Sequence, residues 1–370
     1  MLISNMLTLI ALILAGIHFG VPLTYYWYAK KKWLKKPWNI KTDENYKPRV
    51  TIIVPTYNEA KFIQTKLDNL YAQDYPKDLI EVIVVDSASD DGTTELVTEW
   101  KTKHRDTNLR LIREEERKGK AVALNHALKH TRGKIVIIAD VDATWPNNAI
   151  SEIVKWFADP AVGAVSCLKK PVGSKTIEKN YRQYYNTLRI AESKAHSTPI
   201  FHGELAAFRK ELLEKIGGFP TDIGADDSHT ATRIALMGYR TIVPEGIVCF
   251  EYIPRKGYHM WRIRRAQHLL QHFTKVIKEN KRTLKTFKMI LRVEIYLHLI
   301  NPWLLVVTIA LLLASALQGS LTALALLLLG LVLLLCRPFR TWIATQLYLA
   351  VASLRNPISR ELIWEKHTKS

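Results

Sequence analysis

The chain has 370 residues, 48% of them hydrophobic, and its 53 Lys and Arg against 34 Asp and Glu give a formal net charge of +19. This length exceeds one typical domain and leaves room for membrane segments beside a catalytic domain. The charge suits an anionic membrane or a phosphorylated substrate, and without a nucleic-acid-binding signature we expect no nucleic acid partner. Three scattered cysteines without a CxxC motif argue against a disulfide framework or a structural zinc site.

The first element is an apolar segment, Leu2–Tyr28, that contains no Asp, Glu, Lys or Arg. A membrane span needs roughly 20 apolar residues, so residues 1–29 predict an N-terminal transmembrane helix. A cleaved signal peptide is the alternative, but its basic residues would precede the apolar run, whereas Lys30–Lys32 follow it. Because positive charge favours the cytoplasm, we expect a multi-pass protein of the cell membrane whose next domain is cytoplasmic.

Residues 30–257 predict the catalytic domain, because short apolar runs alternate there with helical patterns. The predicted strands are Val50–Pro55, Ile80–Asp86, Leu109–Arg113 and Ile135–Ala139, and the predicted helices lie near Lys61–Tyr71, Thr93–Lys103 and Lys120–His130. Repeated strand–helix units indicate an α/β fold with a mostly parallel sheet covered on both faces. Ligands of such sheets bind at the carboxyl ends of the strands, so the polar residues there are the first candidates for a site.

Three of these strands end in polar clusters, Pro55–Glu59, Asp86–Thr93 and Asp140–Asp142. Asp140 and Asp142 flank one residue, so in an extended chain their side chains point the same way. Two carboxylates can hold Mn²⁺ or Mg²⁺ together with phosphate oxygens. The basic segment Arg117–Lys120 precedes a predicted helix, and a helix N-terminus flanked by positive charge suits a pyrophosphate.

The C-terminal part is predicted to associate with the membrane. Residues 258–294 alternate basic with apolar side chains, which predicts amphipathic helices on anionic membrane lipids; an ordinary surface helix is the alternative. Residues 295–336 contain no Asp, Glu, Lys or Arg. Their length predicts two transmembrane helices with a turn at Gln318–Ser320. Residues 337–370 are interpreted as an interfacial or re-entrant helix over Thr341–Leu354 and a cytoplasmic tail, with a third C-terminal span as the alternative.

The strings VTIIVPTYNEAKFI, VIVVDSASDDGT, KGKAVALNHAL and IADVDA, in this order and spacing, resemble the family 2 glycosyltransferases of the GT-A fold. The resemblance covers about Arg49 to Phe273 and implies a Rossmann-like, mixed, mostly parallel sheet. It also implies a nucleotide-sugar donor, with Asp140 and Asp142 as the metal-binding DxD motif. The implied nucleotide-binding residues are Pro55, Thr56, Tyr57, Glu59, Asp86, Lys118, Gly119 and Asp140.

Three later segments extend the resemblance. Gly203 and Glu204 match the segment on the acceptor side. Asp226 and Asp227 match the acidic catalytic motif, with Asp227 at the position of the base. Membrane-bound polymer synthases of this family carry a QxxRW motif, and Arg265 matches its arginine, which implies a catalytic role near the diphosphate. Here Ala266 stands where those synthases have tryptophan, a departure that argues against synthesis of a long polymer.

We therefore expect an inverting hexosyltransferase that moves a sugar, from a UDP-sugar by resemblance, to a hydroxyl of a lipid-linked sugar or short glycan. A general base favours a hydroxyl acceptor, because a lipid phosphate is already ionised. A polysaccharide synthase and a polyprenyl (dolichyl) phosphate sugar synthase are the alternatives, and GDP-sugars stay open as donors. A non-enzymatic scaffold is disfavoured because the acidic and lysine motifs are all present, and a dehydrogenase because no GxGxxG follows the first strand.

Overall fold

The computed structural model of the protein describes residues 2–172, 176–254, 256–279 and 283–359. The strands are β1 (Val50–Thr56), β2 (Ile80–Ser87), β3 (Leu109–Glu114), β4 (Ile135–Ile138), β5 (Ala143–Thr144), β6 (Val162–Ser166), β7 (Leu168–Val172), β8 (Ala206–Arg209), β9 (Arg240–Ile242) and β10 (Val248–Tyr252). The helices are α1 (Leu2–Tyr28), α2 (Ile63–Tyr71), α3 (Thr93–Lys103), α4 (Lys120–Leu128), α5 (Ala149–Val154), α6 (Thr176–Ala195), α7 (Lys210–Lys215), α8 (Asp226–Leu236), α9 (Tyr258–Lys278), α10 (Lys285–Ile295), α11 (Asn301–Leu317), α12 (Leu321–Leu333) and α13 (Arg337–Arg355). The end of the predicted cytoplasmic tail, residues 360–370, lies outside the described residues.

The predicted catalytic domain is built on a seven-stranded sheet in the order β3-β2-β1-β4-β8-β6-β9. β1, β2 and β4 are almost entirely buried runs of Val and Ile, a composition typical of strands covered on both faces. β1 runs parallel to β2 and β4, whereas β8 runs antiparallel to its neighbours β4 and β6. The predicted α/β fold with a mostly parallel sheet is confirmed.

Alternate residues of the central strands face two separate cores. Ile52 and Val54 pack on one face with Leu67 of α2, and Ile53 packs on the other face with Leu124 of α4. Each such side chain stabilises the fold by about 1.5–3 kcal/mol when fully buried. Because β1, β2 and β4 point in the same direction, the polar clusters that follow them meet at one edge of the sheet.

A second, three-stranded sheet in the order β5-β10-β7 extends this edge. β5 begins at Ala143, directly after Asp142, and pairs antiparallel with β10, which pairs parallel with β7. The small sheet therefore places residues of β7 and β10 beside the turn that follows β4.

Two helices among the described residues are long and apolar enough to cross a membrane, Leu2–Trp33 and Lys285–Leu317. In the second one, α10 continues through the π-helical turn Tyr296–Ile300 into α11. The predicted boundary between an interfacial and a transmembrane helix at residue 295 is thus not a break in the chain. The composition changes there, and the helix continues through the π-helical turn, with Pro302 in the first turn of α11.

α12 is shorter than the predicted second span of this region. Its 13 residues would extend about 20 Å at 1.5 Å per residue, against a hydrocarbon core of about 30 Å. α13 starts after three residues, with Pro338 in its first turn, and leaves α12 at an angle of 106°. The two helices make a third candidate span only if the bent pair is counted as one.

The catalytic domain is attached to the long helices by buried polar contacts. The hydroxyl of Tyr25 in α1 donates to Glu192 Oε1 at 2.8 Å, and Arg189 Nη1 donates to Glu294 Oε1 of α10 at 2.9 Å. Because Arg189 and Glu192 both belong to α6, this helix joins the catalytic domain to both apolar helices. These contacts fix how the edge of the sheet is oriented relative to them.

Candidate active site

A cavity of about 330 Å³ lies at the edge of the sheet where β1 and β4 end. All but two of the site residues predicted from the sequence line it: Pro55, Thr56, Tyr57, Glu59, Gly119, Asp140, Asp142, Gly203, Glu204, Asp226, Asp227 and Arg265. The two exceptions are Asp86 and Lys118. Segments that are far apart in the chain thus converge on one concave surface, as expected for a ligand site of an α/β sheet.

The loop after β1 is held in place by the loop after β2. Asn58 has a φ of 53°, a left-handed conformation that Asn tolerates better than most residues. Its side chain exchanges two hydrogen bonds with Asp90, at 2.8 and 3.0 Å, and the backbone N–H of Glu59 donates to Thr93 Oγ1 at 2.8 Å. These bonds fix the segment from Pro55 to Glu59 against the cavity.

Asp86 lies beneath this loop and is fully buried. Its carboxylate accepts hydrogen bonds from the hydroxyls of Ser89, Thr94 at 2.6 Å and Thr56 at 3.4 Å. Asp86 therefore organises the two loops, and its contact with a nucleotide stays a prediction.

Tyr57 and Arg117 form a flat surface on the cavity wall. The guanidinium carbon of Arg117 lies 3.9 Å from the centroid of the Tyr57 ring, the geometry of a cation–π contact. Such a surface suits a planar ring and the negative charge attached to it.

The basic segment before α4 contributes Lys120 to the cavity, whereas Lys118 points away. The side chain of Lys118 is 59% exposed and pairs with Glu116 at 2.7 Å. Gly119 has a φ of 104°, a conformation that favours glycine, and the chain enters α4 directly after it. Lys120 Nζ, on a side chain only 19% exposed, donates to Asp140 Oδ1 at 2.6 Å. The sequence does not show which of Lys118 and Lys120 faces the site, because this depends on the backbone turn at Gly119.

Asp226 and Asp227 begin α8, where the first backbone N–H groups lack intrahelical partners and favour negative charge. The N–H of Ser228 donates to Asp227 Oδ1 at 2.6 Å. Burial raises the pKa of Asp227 to about 7; the carboxylate of Asp226 adds to the rise and the ammonium of Lys120 opposes it. A carboxylate with a pKa near 7 is suited to take a proton at neutral pH.

Gly203 is the point at which three charged groups meet. A Cβ atom added there would lie 2.6 Å from Lys120 Nζ, 3.4 Å from Asp227 Oδ2 and 3.8 Å from Asp140 Oδ2. Burial alone would lower the pKa of Lys120, but the carboxylates of Asp140, Asp226 and Asp227 raise it above its ordinary value. Lys120 is therefore a stable cation between the acidic turn after β4 and the acidic start of α8.

Asp140 and Asp142 are the two carboxylates that the sequence predicts to hold a metal ion. Within the part of the chain that the structure describes, no group of three or more His, Cys, Asp or Glu side chains is arranged to hold a metal. Mg²⁺ and Mn²⁺ often take one or two carboxylates and complete their shell with substrate phosphates and water. Two aspartates on the wall of one cavity fit that type of site, in which a bound metal would neutralise charge on a leaving diphosphate.

Glu204 and Arg265 belong to a buried ionic network. Glu204 pairs with Lys169 of β7 and, at 3.4 Å, with Arg265, which also donates to Glu251 Oε1 of β10 at 2.5 Å. Burial opposes ionisation of Glu204, but Lys169 and Arg265 hold its pKa well below the ordinary range. The network leaves Glu204 engaged with its neighbours and orients Arg265 at the cavity wall.

The network continues to residues that the sequence did not single out. Glu178 of α6 forms an ion pair with Arg182 at 2.8 Å and accepts a hydrogen bond from Arg262 at 3.0 Å, and Arg262 lies 3.9 Å from the ring centroid of Tyr181. These side chains come from α6 and α9, and no local motif marks them. Each of the charged residues lies in an amphipathic helix. The sequence pattern places such residues at the surface, facing solvent or lipid headgroups.

Two family models match the chain. The one described as glycosyl transferase family 2 covers residues 51–217, and the one described as glycosyl transferase family group 2 covers residues 135–351. Among relatives, the poly-β-1,6-N-acetyl-D-glucosamine synthase of Staphylococcus epidermidis is 25% identical over 74% of this chain and 68% of its own length. Glycosyltransferase AglE of Haloferax volcanii is 32% identical over 52% of this chain and 63% of its own length.

One solved structure matches nearly the whole chain. It is the mannosyltransferase PcManGT from Pyrobaculum calidifontis in complex with GDP-Man and Mn²⁺, which is 57% identical and covers 95% of this chain and 99% of its own. The TM-score is 0.90. These matches confirm the resemblance and the GT-A fold that the sequence motifs predicted. The chain belongs to the family 2 glycosyltransferases.

Proposed function

We propose that the protein is a membrane-anchored, inverting mannosyltransferase that uses GDP-mannose and Mn²⁺. The observation that carries this proposal is the convergence of Lys120, Asp140 and Asp227 on Gly203 within one cavity. The donor is proposed from PcManGT, which was solved with GDP-Man and Mn²⁺ and is 57% identical to this chain. The UDP-sugar expected from the sequence is the competing donor.

The donor would occupy the end of the cavity formed by the loop after β1 and the start of α4. Thr56, Tyr57 and Glu59 would face the nucleoside, with the Tyr57–Arg117 surface under its base. Gly119 opens the N-terminus of α4 toward a diphosphate. We assign to Lys120 the phosphate contact that the sequence assigned to Lys118, because Lys120 faces the acidic turn of Asp140 and Asp142.

Asp227 would act as general base on the acceptor hydroxyl. It lies at the start of α8 with a pKa of about 7, and Gly203, which has no side chain, lies beside it and Lys120. Arg265, held by Glu251 and Glu204, would stabilise negative charge on the leaving nucleotide. The proton would move from the hydroxyl to Asp227 as the new glycosidic bond forms and the bond to the diphosphate breaks.

The acceptor is proposed to be a lipid-linked sugar or short glycan that reaches the site from the membrane. The cavity wall opposite the donor residues includes Tyr181 of α6, Arg262 of α9, and Tyr348 and Leu349 of α13. α6 is bound to both apolar helices, so this wall lies toward the membrane part of the protein. We propose that the catalytic domain lies on the cytoplasmic face, as the lysines after α1 indicate.

A polysaccharide synthase is the second candidate, favoured by the similarity to poly-β-1,6-N-acetyl-D-glucosamine synthase. Two features oppose it. Ala266 stands where the tryptophan of polymer synthases is expected, and the described residues hold two candidate spans, or three with the bent pair. The size of the product distinguishes the two functions.

The donor is tested by supplying purified protein with GDP-mannose or a panel of UDP-sugars, Mn²⁺ and a lipid extract from its host. We expect nucleotide release with GDP-mannose and one hexose added to a glycolipid, observed by mass spectrometry. Removal of the metal with EDTA should abolish transfer, and Mn²⁺ should restore it. If only a UDP-sugar were turned over, that sugar nucleotide and not GDP-mannose would be the donor. A ladder of long chains would establish a polysaccharide synthase.

Gly203→Ala tests whether the convergence on Gly203 matters for catalysis. The added methyl group would displace the ammonium of Lys120, and a misplacement of this kind can lower the rate by about 10²-fold. The lysine can move, so we expect the unfolding temperature to change little. Gly246→Ala is the matched control, because its methyl group would meet Glu152 Oε2 at 3.4 Å, an acceptable contact. Equal rates for the two variants would contradict the assignment.

A further inference from the structure

Lys66 is a fully buried lysine that the proposed mechanism does not use. It belongs to α2 and is only 1% exposed. Its Nζ donates to the carbonyl of Ala143 at 2.8 Å and lies 4.0 Å from the centroid of the Trp145 ring. Burial of an ammonium group is costly unless it is paired, so a lysine here requires a compensating role.

Asn69, three residues later on the same helix, contacts the same segment. Its side chain donates to the carbonyl of Trp145 at 2.8 Å and accepts from the N–H of Trp145 at 2.9 Å. Lys66 and Asn69 thus hold the backbone from Ala143 to Trp145, which we call the α2 clamp. The clamped segment begins directly after Asp142, at the end of the acidic turn.

The α2 clamp also reaches the acceptor side of the cavity. Trp145 Nε1 donates to the carbonyl of Glu204 at 2.9 Å, next to Gly203. Burial lowers the pKa of Lys66 to about 7, and the carboxylate of Asp140 opposes this fall. One helix therefore holds the turn with the two metal-binding carboxylates and the segment that contacts Asp227 and Lys120.

We propose that Lys66 is a positioning residue that sets the direction of the Asp140 and Asp142 carboxylates through the backbone of Ala143. The inference rests on the proposed function, since it requires these aspartates to hold the metal. Loss of the lysine would remove its hydrogen bond to the buried carbonyl of Ala143 and free the acidic turn to shift. Partners that orient metal ligands typically change metal affinity by about 10- to 100-fold when they are removed.

The test measures Mn²⁺ binding by electron paramagnetic resonance in the presence of GDP, with the full-length protein and without turnover. Lys66→Met should weaken Mn²⁺ binding about tenfold or more. Lys77→Met is the matched control, because Lys77 also stacks on an aromatic ring, at 4.3 Å from the centroid of Tyr71, but lies away from the cavity. Its Mn²⁺ affinity should equal that of the wild type.

A purely structural role would lower the unfolding temperature and leave the Mn²⁺ affinity of the folded protein unchanged. Wild-type affinity in folded Lys66→Met overturns the positioning role. Should that variant fail to fold, Asn69→Ala tests the other contact of the α2 clamp, and a wild-type Mn²⁺ affinity in that folded variant would show that the clamped segment does not set the direction of the two carboxylates, which overturns the positioning role. Wild-type protein that binds no Mn²⁺ with GDP or UDP would overturn the proposed metal site and the positioning role with it.

Discussion

Asp227→Asn should lower the rate of transfer by about 10²–10⁴-fold, the usual contribution of a general base. Asparagine has the same shape and can still accept the hydrogen bond from the N–H of Ser228, but it cannot take a proton. Donor binding should persist, because Asp227 faces the acceptor hydroxyl in the proposed arrangement. The rate is measured with saturating GDP-mannose and a glycolipid acceptor, and donor binding by calorimetry.

The same variant should fold at least as stably as the wild type. Burial raises the pKa of Asp227 from its ordinary value to about 7, so its ionisation destabilises the folded state; this cost builds as the pH rises from the ordinary pKa to about 7 and is present in full above it. A neutral side chain removes this cost, and the unfolding temperature at alkaline pH should stay constant or rise. A loss of activity accompanied by a loss of stability would instead indicate damage to α8.

Asp222→Asn is the matched control for this prediction. Asp222 precedes α8 and pairs with Lys275 at the protein surface, so the same chemical change there should leave transfer within about twofold, since exposed ion pairs contribute little. Full activity of Asp227→Asn with a hydroxyl acceptor would remove the base from the mechanism. If Asp227→Asn left the rate of transfer to a polyprenyl phosphate acceptor unchanged, the polyprenyl-phosphate sugar synthase would be favoured.

The central sheet and most of the site could be predicted because their signals are local. β1, β2 and β4 are short runs of Val and Ile, and each is followed by polar residues at the end where a parallel sheet binds ligands. The place of Asp227 in the site is implied by the resemblance to the family's acidic motif, and the structure puts this residue at the start of α8. In these cases, residues that are neighbours in the chain also determine the local structure.

The remaining features depend on contacts between distant segments. Lys169 of β7 pairs with Glu251 of the neighbouring strand β10 and with Glu204 in the segment before β8, and no spacing in the sequence reveals these pairs. The helix Lys285–Leu317 is continuous although its composition changes near residue 295, because a helix ends at a backbone signal and not at a change of polarity. Lys66 lies in an otherwise ordinary amphipathic pattern, which hides its burial.

Lys120→Met should lower transfer by about 10²–10³-fold, the loss typical when one preorganised charge-stabilising group is removed. Lys120 contacts Asp140 at 2.6 Å and opposes the rise in the pKa of Asp227. In its absence the pKa of Asp227 should rise further above about 7. The reaction needs the carboxylate form of Asp227, so activity should fall as the pH drops through this pKa.

The variant is therefore expected to differ in pH profile as well as in rate. The acid limb of kcat/KM should move to higher pH than in the wild type, whose limb should lie near pH 7 if Asp227 titrates as the structure indicates. Lys118→Met is the control: this exposed lysine pairs only with Glu116 among the ion pairs of the described residues, and its loss should leave rate and profile unchanged. If Lys118→Met lowered the rate and Lys120→Met did not, the phosphate contact would belong to Lys118, as the sequence predicted. The diphosphate would then lie away from Lys120. A lower rate without a shift of the acid limb would mean that Lys120 does not influence the pKa of Asp227. The role of Lys120 would then be limited to binding the donor.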